Sequence, residues 1–453
     1  ARVKIRKIKL DIMDEQMSKS QKVRIQYASK YARVSNYWKY FIGQSEQLVN
    51  NKVSDKKQNI ESSFTSWYQK NKLENEYGQA LNLIKNATES FSKYIIPKVY
   101  FQEAVVGSEI ILFMFRNLGK RAPLYNALKT GEGVSIAKEA LLQKAESYFK
   151  DYNATIDENT LASILSLYAN DVSKEFQPEL LLSLNEKYKG NFKKFASNYF
   201  SKTPFKSYEL FKEWLNNDKL SLKAIEKDVV FQLMNQFLAV YRAKVMLPKS
   251  RFDSDYKKGM RLFVDALQKM GMNKSSDANS TMRFTYGNVL SYKPADAVNY
   301  DFFTTLEGVM QKEVVTNDKN HEFYVPQKLK DLYEAKDYGP YGRKEDGKLP
   351  VGFLSNNDIT GGNSGSPVIN AFGELIGTAF DGNWEAMSGD IYFEPNIQRT
   401  ISVDIRYALF IIDKYADAKH LIDEMNVVYE RHIEEKPADN QEQDMPEPVP
   451  SMK

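Results

Sequence analysis

The chain has 453 residues, with 63 Lys and Arg against 59 Asp and Glu, three His and no Cys. A net charge of +4 is too near balance for a nucleic-acid binder, and the lack of Cys excludes disulfides, a thiol nucleophile and Cys-based metal sites. With 42% hydrophobic and 27% charged residues, a chain of this length carries enough apolar surface for two or three domains.

From Ala1 to about position 275 the pattern is helical, because Gly and Pro are sparse and long charged residues alternate with apolar ones. The opening Ala1–Leu10 alternates basic and apolar residues and lacks the apolar core of a signal peptide. The apolar run Ile110–Phe115 is far below the ~18 residues that span a bilayer. Gly131-Glu132-Gly133 lacks the third glycine of a dinucleotide loop and reads as a turn. Val230, Leu233, Met234, Phe237, Leu238 and Tyr241 draw one stripe down a helix, read as core packing, with Thr203-Pro204 and Pro248 punctuating the segment.

The texture changes beyond about 276. Thr281–Tyr286 alternates, Gly287-Asn288 supplies a turn, and Val289–Tyr292 resumes the alternation. Pro367–Asn370 and Glu374–Phe380 flank a second turn, a hairpin signature. A last helix is expected over Ser402–Tyr415, on the spacing of Ile405, Ala408, Leu409, Ile412 and Tyr415. Positions 426–453 form an acidic, proline-rich segment with too little apolar surface to offset its ordering entropy, so a disordered tail is expected.

Thr360-Gly361-Gly362-Asn363-Ser364-Gly365-Ser366-Pro367 carries the chemistry. A serine between small residues on a tight turn that feeds a hairpin suits a nucleophile. Glycine on either side permits a sharp kink and the close approach of a substrate carbonyl. The same turn can aim the N–H groups of Gly362 and Ser364 at a developing oxyanion. Taken alone, the string also fits an ordinary hairpin turn.

Several longer stretches extend the pattern: Gly361–Pro367, Phe380-Asp381-Gly382-Asn383-Trp384-Glu385, Gln398–Tyr407, Asn279–Gly287, Gln26–Tyr31 and Ser35–Lys39. Together, and in their order along the chain, they resemble the dipeptidyl-peptidase 7 and 11 family of serine exopeptidases. The resemblance runs from near the start to about Met425. It implies an α+β chain in which a large helical cap (1–275) precedes the C-terminal β-barrel part of a chymotrypsin-like double barrel (276–425). It implies release of dipeptides from oligopeptides with a free N-terminus, without metal or organic cofactor. A homodimer in the periplasm or at the surface of a Gram-negative bacterium is also implied.

Position by position, the resemblance makes Ser364 the nucleophile and gives the oxyanion hole to Gly362 and Ser364. Asp381 is a buried carboxylate for the substrate's α-ammonium, and Asn36 is a second ligand for the same amine. Gly382 sets the preference beside the scissile bond; members that cut after acidic residues carry arginine there, so glycine implies an apolar side chain.

A departure from the family remains. The chain opens within the helical cap, and nothing before Ser364 resembles a first barrel with His and Asp. His321 reads as a surface-loop residue, while His420 and His432 read as solvated. Two readings stay open: a barrel N-terminal to Ala1, or a shortened homologue that binds peptides without cutting them. On either reading the chain alone is expected to hydrolyse peptides poorly or not at all.

Overall fold

The gly- and pro-poor half folds as helices, as its periodicity requires. The structure, a computed structural model, describes residues 1–272, 281–282, 284–314, 321 and 323–429. His432, nearly all of the expected tail and part of the Asn279–Gly287 stretch therefore lie outside the described residues. The chain divides into two units: Ala1–Ile42 with Glu61–Ala266, and Gly43–Ile60 with Leu267–Lys453. No helix among the described residues is long and apolar enough to cross a membrane.

The first unit begins with α1 (Arg2–Lys19) and the first part of α2 (Gln21–Asn50), and takes in most of α3 (Val53–Lys70). The apolar stripe lies on a helix over Val229–Val240, continued by a wider turn over Tyr241–Met246. Val230, Leu233, Met234 and Phe237 are buried in the core, as core packing demands. Asp228 starts this helix, its carboxylate accepting from the N–H groups of Val230 (2.8 Å) and Phe231 (2.9 Å). A side-chain cap of this kind needs no proline to mark it. Gly131 and Gly133 have φ of +83° and +67° and form the expected turn between helices Pro123–Thr130 and Val134–Lys150.

A polar knot sits inside this core. Asp157 is fully buried and caps a different helix, Glu109–Asn117, accepting from the N–H groups of Glu109 (3.1 Å) and Ile110 (2.7 Å). Ser108 Oγ and the Tyr152 hydroxyl also donate to it, each at 3.2 Å. Next to it, Glu109 accepts from the Tyr27 hydroxyl (2.8 Å) and Lys30 Nζ (2.6 Å). Tyr27 and Lys30 belong to the Gln26–Tyr31 stretch, so that stretch ties α2 to the knot.

Among its described residues the second unit holds seven strands: β1 (Tyr292–Ala295), β2 (Val298–Tyr300), β3 (Phe303–Thr305), β4 (Pro350–Ser355), β5 (Pro367–Ile369), β6 (Leu375–Gly382) and β7 (Thr400–Asp404). β1 and β2 pair with each other, and the rest form one antiparallel sheet in the order β3-β4-β7-β6-β5. The sheet does not close: among the described residues β3 and β5 are its two edges, so the expected barrel is replaced by an open five-stranded sheet. Both edge strands are only three residues long, which limits the exposed ladder. Leu306, Tyr341, Leu349, Leu409 and Phe410 anchor the core of this unit.

Three local expectations change. Residues 402–404, expected as the start of the last helix, belong to strand β7 (Thr400–Asp404), whose β-branched Thr400, Ile401 and Val403 suit the centre of the sheet and along which burial alternates. The helix begins at Ile405, where Asp404 caps it by accepting from Arg406 N (2.9 Å). Gly287-Asn288 does not make a hairpin. Asn288 N instead donates to Asn356 Oδ1 (2.7 Å) and Leu290 N to Leu354 O (3.2 Å), so this segment lies along the end of β4. Residues 43–60, expected with the helical cap, pack in the second unit: Trp384 Nε1 donates to Glu46 Oε2 (3.1 Å) and Lys56 pairs with Glu394.

Burial, and next the charge of Glu109, raises the Asp157 carboxyl well above its ordinary value. Tyr148, Tyr152 and Tyr27 face it from neighbouring elements, and the Lys9 ammonium opposes the shift. A raised carboxyl contributes stability that is present below the ordinary carboxylate pKa and is lost as pH rises through the folded value. Asp157→Asn, which cannot ionise, is expected to lose less unfolding free energy than the parent between about pH 5 and pH 8. Urea titrations at several pH values measure the two slopes, and parallel slopes would contradict the assignment.

Candidate active site

Turn chemistry and strand pairing together build the serine loop. The N–H of Thr360 donates to Asn363 Oδ1 (3.0 Å) and that of Asn363 to Thr360 O (3.1 Å), which closes the turn on itself. Thr360 Oγ1 donates to Asp390 Oδ1 (2.8 Å) and anchors the turn to the body of the unit. Gly362 (φ +109°) and Gly365 (φ +87°) occupy backbone conformations that a Cβ disfavours, so the two glycines around Ser364 are there for the kink.

Beyond the kink the chain is stitched to β6. Gly365 N donates to Ala379 O (2.8 Å), and Ala379 N donates to Ser366 O (3.0 Å). The pairing then continues as β5 against β6, with Pro367 opposite Thr378. The turn Asn370–Glu374 completes the expected hairpin, with Asn370 Oδ1 accepting from the N–H groups of Phe372 and Glu374. Ser364 is exposed, and its Oγ donates to Phe380 O at 3.4 Å. Among the described residues, the N–H groups of Gly362 and Ser364 have no acceptor in the fold.

β6 brings the other candidates to this end of the sheet. A bulge between Ala379 and Asp381 shifts the register, so Asp381 lies opposite Ile401 and Gly382 opposite Thr400. Asp381 is exposed, not buried as the sequence suggested; it follows the bulge near the end of the strand, and its Oδ1 accepts from its neighbour Gly382 N (2.8 Å). Gly382 is half-buried. Ser364, Gly362, Asp381 and Gly382 thus share one unit, whereas Asn36 is exposed on the part of α2 that belongs to the first unit.

Neither described histidine is a hydrogen-bond partner of Ser364. His321 Nδ1 accepts from Phe323 N (3.2 Å) within its own loop, and His420 is exposed on the short helix Lys419–Asp423. A cleft lined by Glu307, Tyr333, Tyr338 and Lys348 does not include the serine loop. The described residues contain no group of three or more His, Cys, Asp or Glu that could hold a metal ion.

Sequence reasoning missed the support behind Gly382. Arg399, 4% exposed, spends its guanidinium on five backbone carbonyls: Leu290 (3.3 Å), Ser291 (2.9 Å), Pro395 (2.7 Å), Asn396 (3.2 Å) and Gln398 (2.8 Å). Its backbone exchanges bonds with Asn383: Asn383 N donates to Arg399 O (3.0 Å), and Arg399 N donates to Asn383 Oδ1 (2.9 Å). Asn383 Nδ2 donates in turn to Ile397 O and Glu385 Oε2, both at 2.8 Å. The polar run after Gly382, at the end of a strand, was the available signal.

Over residues 1–427 the chain matches the peptidase S46 family, and it belongs to that family. It is 42% identical over 438 residues to the dipeptidyl-peptidase 7 of Phocaeicola vulgatus, covering 94% of this chain and 58% of that protein. To the Asp/Glu-specific dipeptidyl-peptidase of Flavobacterium psychrophilum it is 39% identical over 440 residues, covering 95% and 59%. The crystal structure of Porphyromonas endodontalis DPP11 in complex with the dipeptide Arg-Glu superposes with a TM-score of 0.82 at 33% identity, covering 93% of this chain and 60% of that one. The chain therefore spans about three fifths of the length of these relatives.

Asn363→Ala removes the acceptor for Thr360 N and is expected to cost about 1 kcal/mol of stability. The local signature is faster hydrogen exchange at the Thr360 amide. An unchanged exchange rate there would show that the side chain does not hold the turn.

Proposed function

We propose that the protein is a serine dipeptidyl-peptidase, to which this chain contributes the nucleophile, the oxyanion hole and the amine and side-chain subsites. One observation carries the reading. An exposed serine sits on a glycine-kinked loop whose neighbouring N–H groups lack acceptors, beside a strand end that bears Asp381 and Gly382.

Ser364 Oγ attacks the carbonyl carbon of the peptide's second residue, and its proton passes to an imidazole. The N–H groups of Gly362 and Ser364 hold the oxyanion as the tetrahedral intermediate forms. The imidazolium then protonates the departing amine, and water releases the dipeptide from the acyl-enzyme by the same steps in reverse. No described residue is bonded to Ser364 as that base, so residues 1–453 alone are expected to hydrolyse peptides poorly.

Asp381 is assigned to the α-ammonium. Asp381 Oδ1 is engaged by Gly382 N, which leaves Oδ2 for the substrate. A charge-assisted contact at that point counts two residues from the chain end and rejects blocked termini. For the residue beside the scissile bond we assign an apolar preference. Gly382 offers neither charge nor side chain, and Arg399 has all five guanidinium N–H groups committed to carbonyls, so it is not available to an acidic group. Of the relatives, the Flavobacterium psychrophilum protein is named Asp/Glu-specific, and the name of the Phocaeicola vulgatus protein states no preference. The resemblance further suggests a homodimer in the periplasm or at the cell surface of a Gram-negative bacterium.

The test uses the protein as its organism produces it. Peptides with a free N-terminus and Leu or Met at the second position are expected to release dipeptides, and their N-acetylated forms are not. Ser364→Ala should lower kcat by at least ~10⁴-fold, and Asp381→Asn should raise KM more than it lowers kcat. Peptide binding without any hydrolysis would favour the non-catalytic homologue. Faster cleavage after Asp or Glu than after Leu or Met would overturn the apolar preference.

A further inference from the structure

Gly382 is more constrained than the lack of a side chain suggests. Its backbone is not in the left-handed region, so its conformation would accept any residue. The obstacle is steric. A Cβ built on Gly382 would lie 3.0 Å from the Cβ of Ala386, closer than two carbons pack in a relaxed interior.

Whether Ala386 can yield depends on what holds it. It lies in the short helical turn Trp384–Ser388, with its N–H donating to Asn383 O (3.0 Å) and its carbonyl accepting from Gly389 N (2.9 Å). Asn383 is 6% exposed, and its side chain is locked to Arg399, Ile397 and Glu385, so the start of the turn cannot slide. On its other side the turn meets α2. Met387 packs so closely on Gly43 that a Cβ there would fall 2.7 Å from Met387 Cγ, and Trp384 is bonded to Glu46. The turn is held from both sides, and the Ala386 methyl is fixed against position 382.

We propose that Ala386 is a second specificity-determining residue: its methyl group keeps position 382 free of a side chain, and the pair Gly382–Ala386, not Gly382 alone, specifies the uncharged subsite. This rests on the reading that Gly382 borders the side chain beside the scissile bond. An arginine at 382, whose planar fork matches a carboxylate, then requires glycine at 386 before it can adopt a productive rotamer. Ala386 takes part in specificity through the room it leaves at 382.

The test is a double-mutant cycle with two readouts on the protein as its organism produces it. In thermal unfolding, Gly382→Ala is expected to lower Tm by about 3 °C or more, as overpacking does. In the background of Ala386→Gly the same change should cost markedly less, a non-additivity that reports the contact. In hydrolysis, Gly382→Arg alone is expected to lower kcat/KM for substrates with Leu by at least about tenfold with little gain for Asp or Glu. Gly382→Arg with Ala386→Gly should then cleave after Asp or Glu at least about tenfold faster than Gly382→Arg alone. Additive Tm changes, or a full switch to acidic substrates from Gly382→Arg alone, would overturn the proposal. A parent protein that cleaves neither substrate class would sink the function proposed above, while the Tm cycle would still decide whether Ala386 limits position 382.

Discussion

The serine loop depends on its pairing to strand β6. Two backbone bonds, Gly365 N to Ala379 O and Ala379 N to Ser366 O, carry the β5–β6 ladder past Pro367 and into the kink. Pro367 has no N–H to give, so the ladder must be resumed by the residues before it. Because those bonds fix Gly365 and Ser366, Ser364 is delivered to the carbonyl of Phe380, at the bulge that turns Asp381 and Gly382 onto their own register. Ser364, Asp381 and Gly382 are thus positioned by one strand rather than by independent loops.

Behind β6 stands a costlier arrangement. β7 is the central strand, and Arg399 just before it buries a guanidinium with carbonyls rather than a carboxylate around it. Burial lowers its pKa, so the cation is held at a cost in desolvation. What the fold gains is geometry: one side chain ties Leu290 and Ser291 to the 395–398 loop, and the backbone of the same residue is bonded to Asn383, next to Gly382. Asp157 is the parallel case in the helical unit, a buried carboxyl capping a helix that lacks a side-chain cap of its own. Each unit thus contains a buried polar residue that fixes backbone which apolar packing alone would leave unspecified.

Local chemistry was legible in the sequence, and long-range pairing was not. The Gly-Asn-Ser-Gly kink, the Asn370–Glu374 turn and the Val230–Phe237 stripe are each set by residues within one turn of themselves, and each appears where the pattern put it. Gly287-Asn288 has the composition of a hairpin turn, yet its partner is Asn356, a residue no local pattern could name. Strand β7 was hidden because the helical spacing of Ile405 to Tyr415 extends naturally backwards, and only pairing to β4 and β6 decides that residues 400–404 are extended. Barrel closure, the burial of Asp381 and the unit to which residues 43–60 belong are likewise decided by distant contacts. Arg399 and Ala386 were silent for the same reason: their roles lie in what they touch.

Covalent labelling tests whether Ser364 becomes a nucleophile once an imidazole reaches it. The protein as its organism produces it would be treated with a dipeptidyl phosphonate that has a free amine and an apolar second residue, then mapped by peptide mass. A single adduct on Ser364 is expected, suppressed by acetylating the amine of the probe and absent in Ser364→Ala. A native protein that remains unlabelled, or that carries the adduct on another residue, would contradict it.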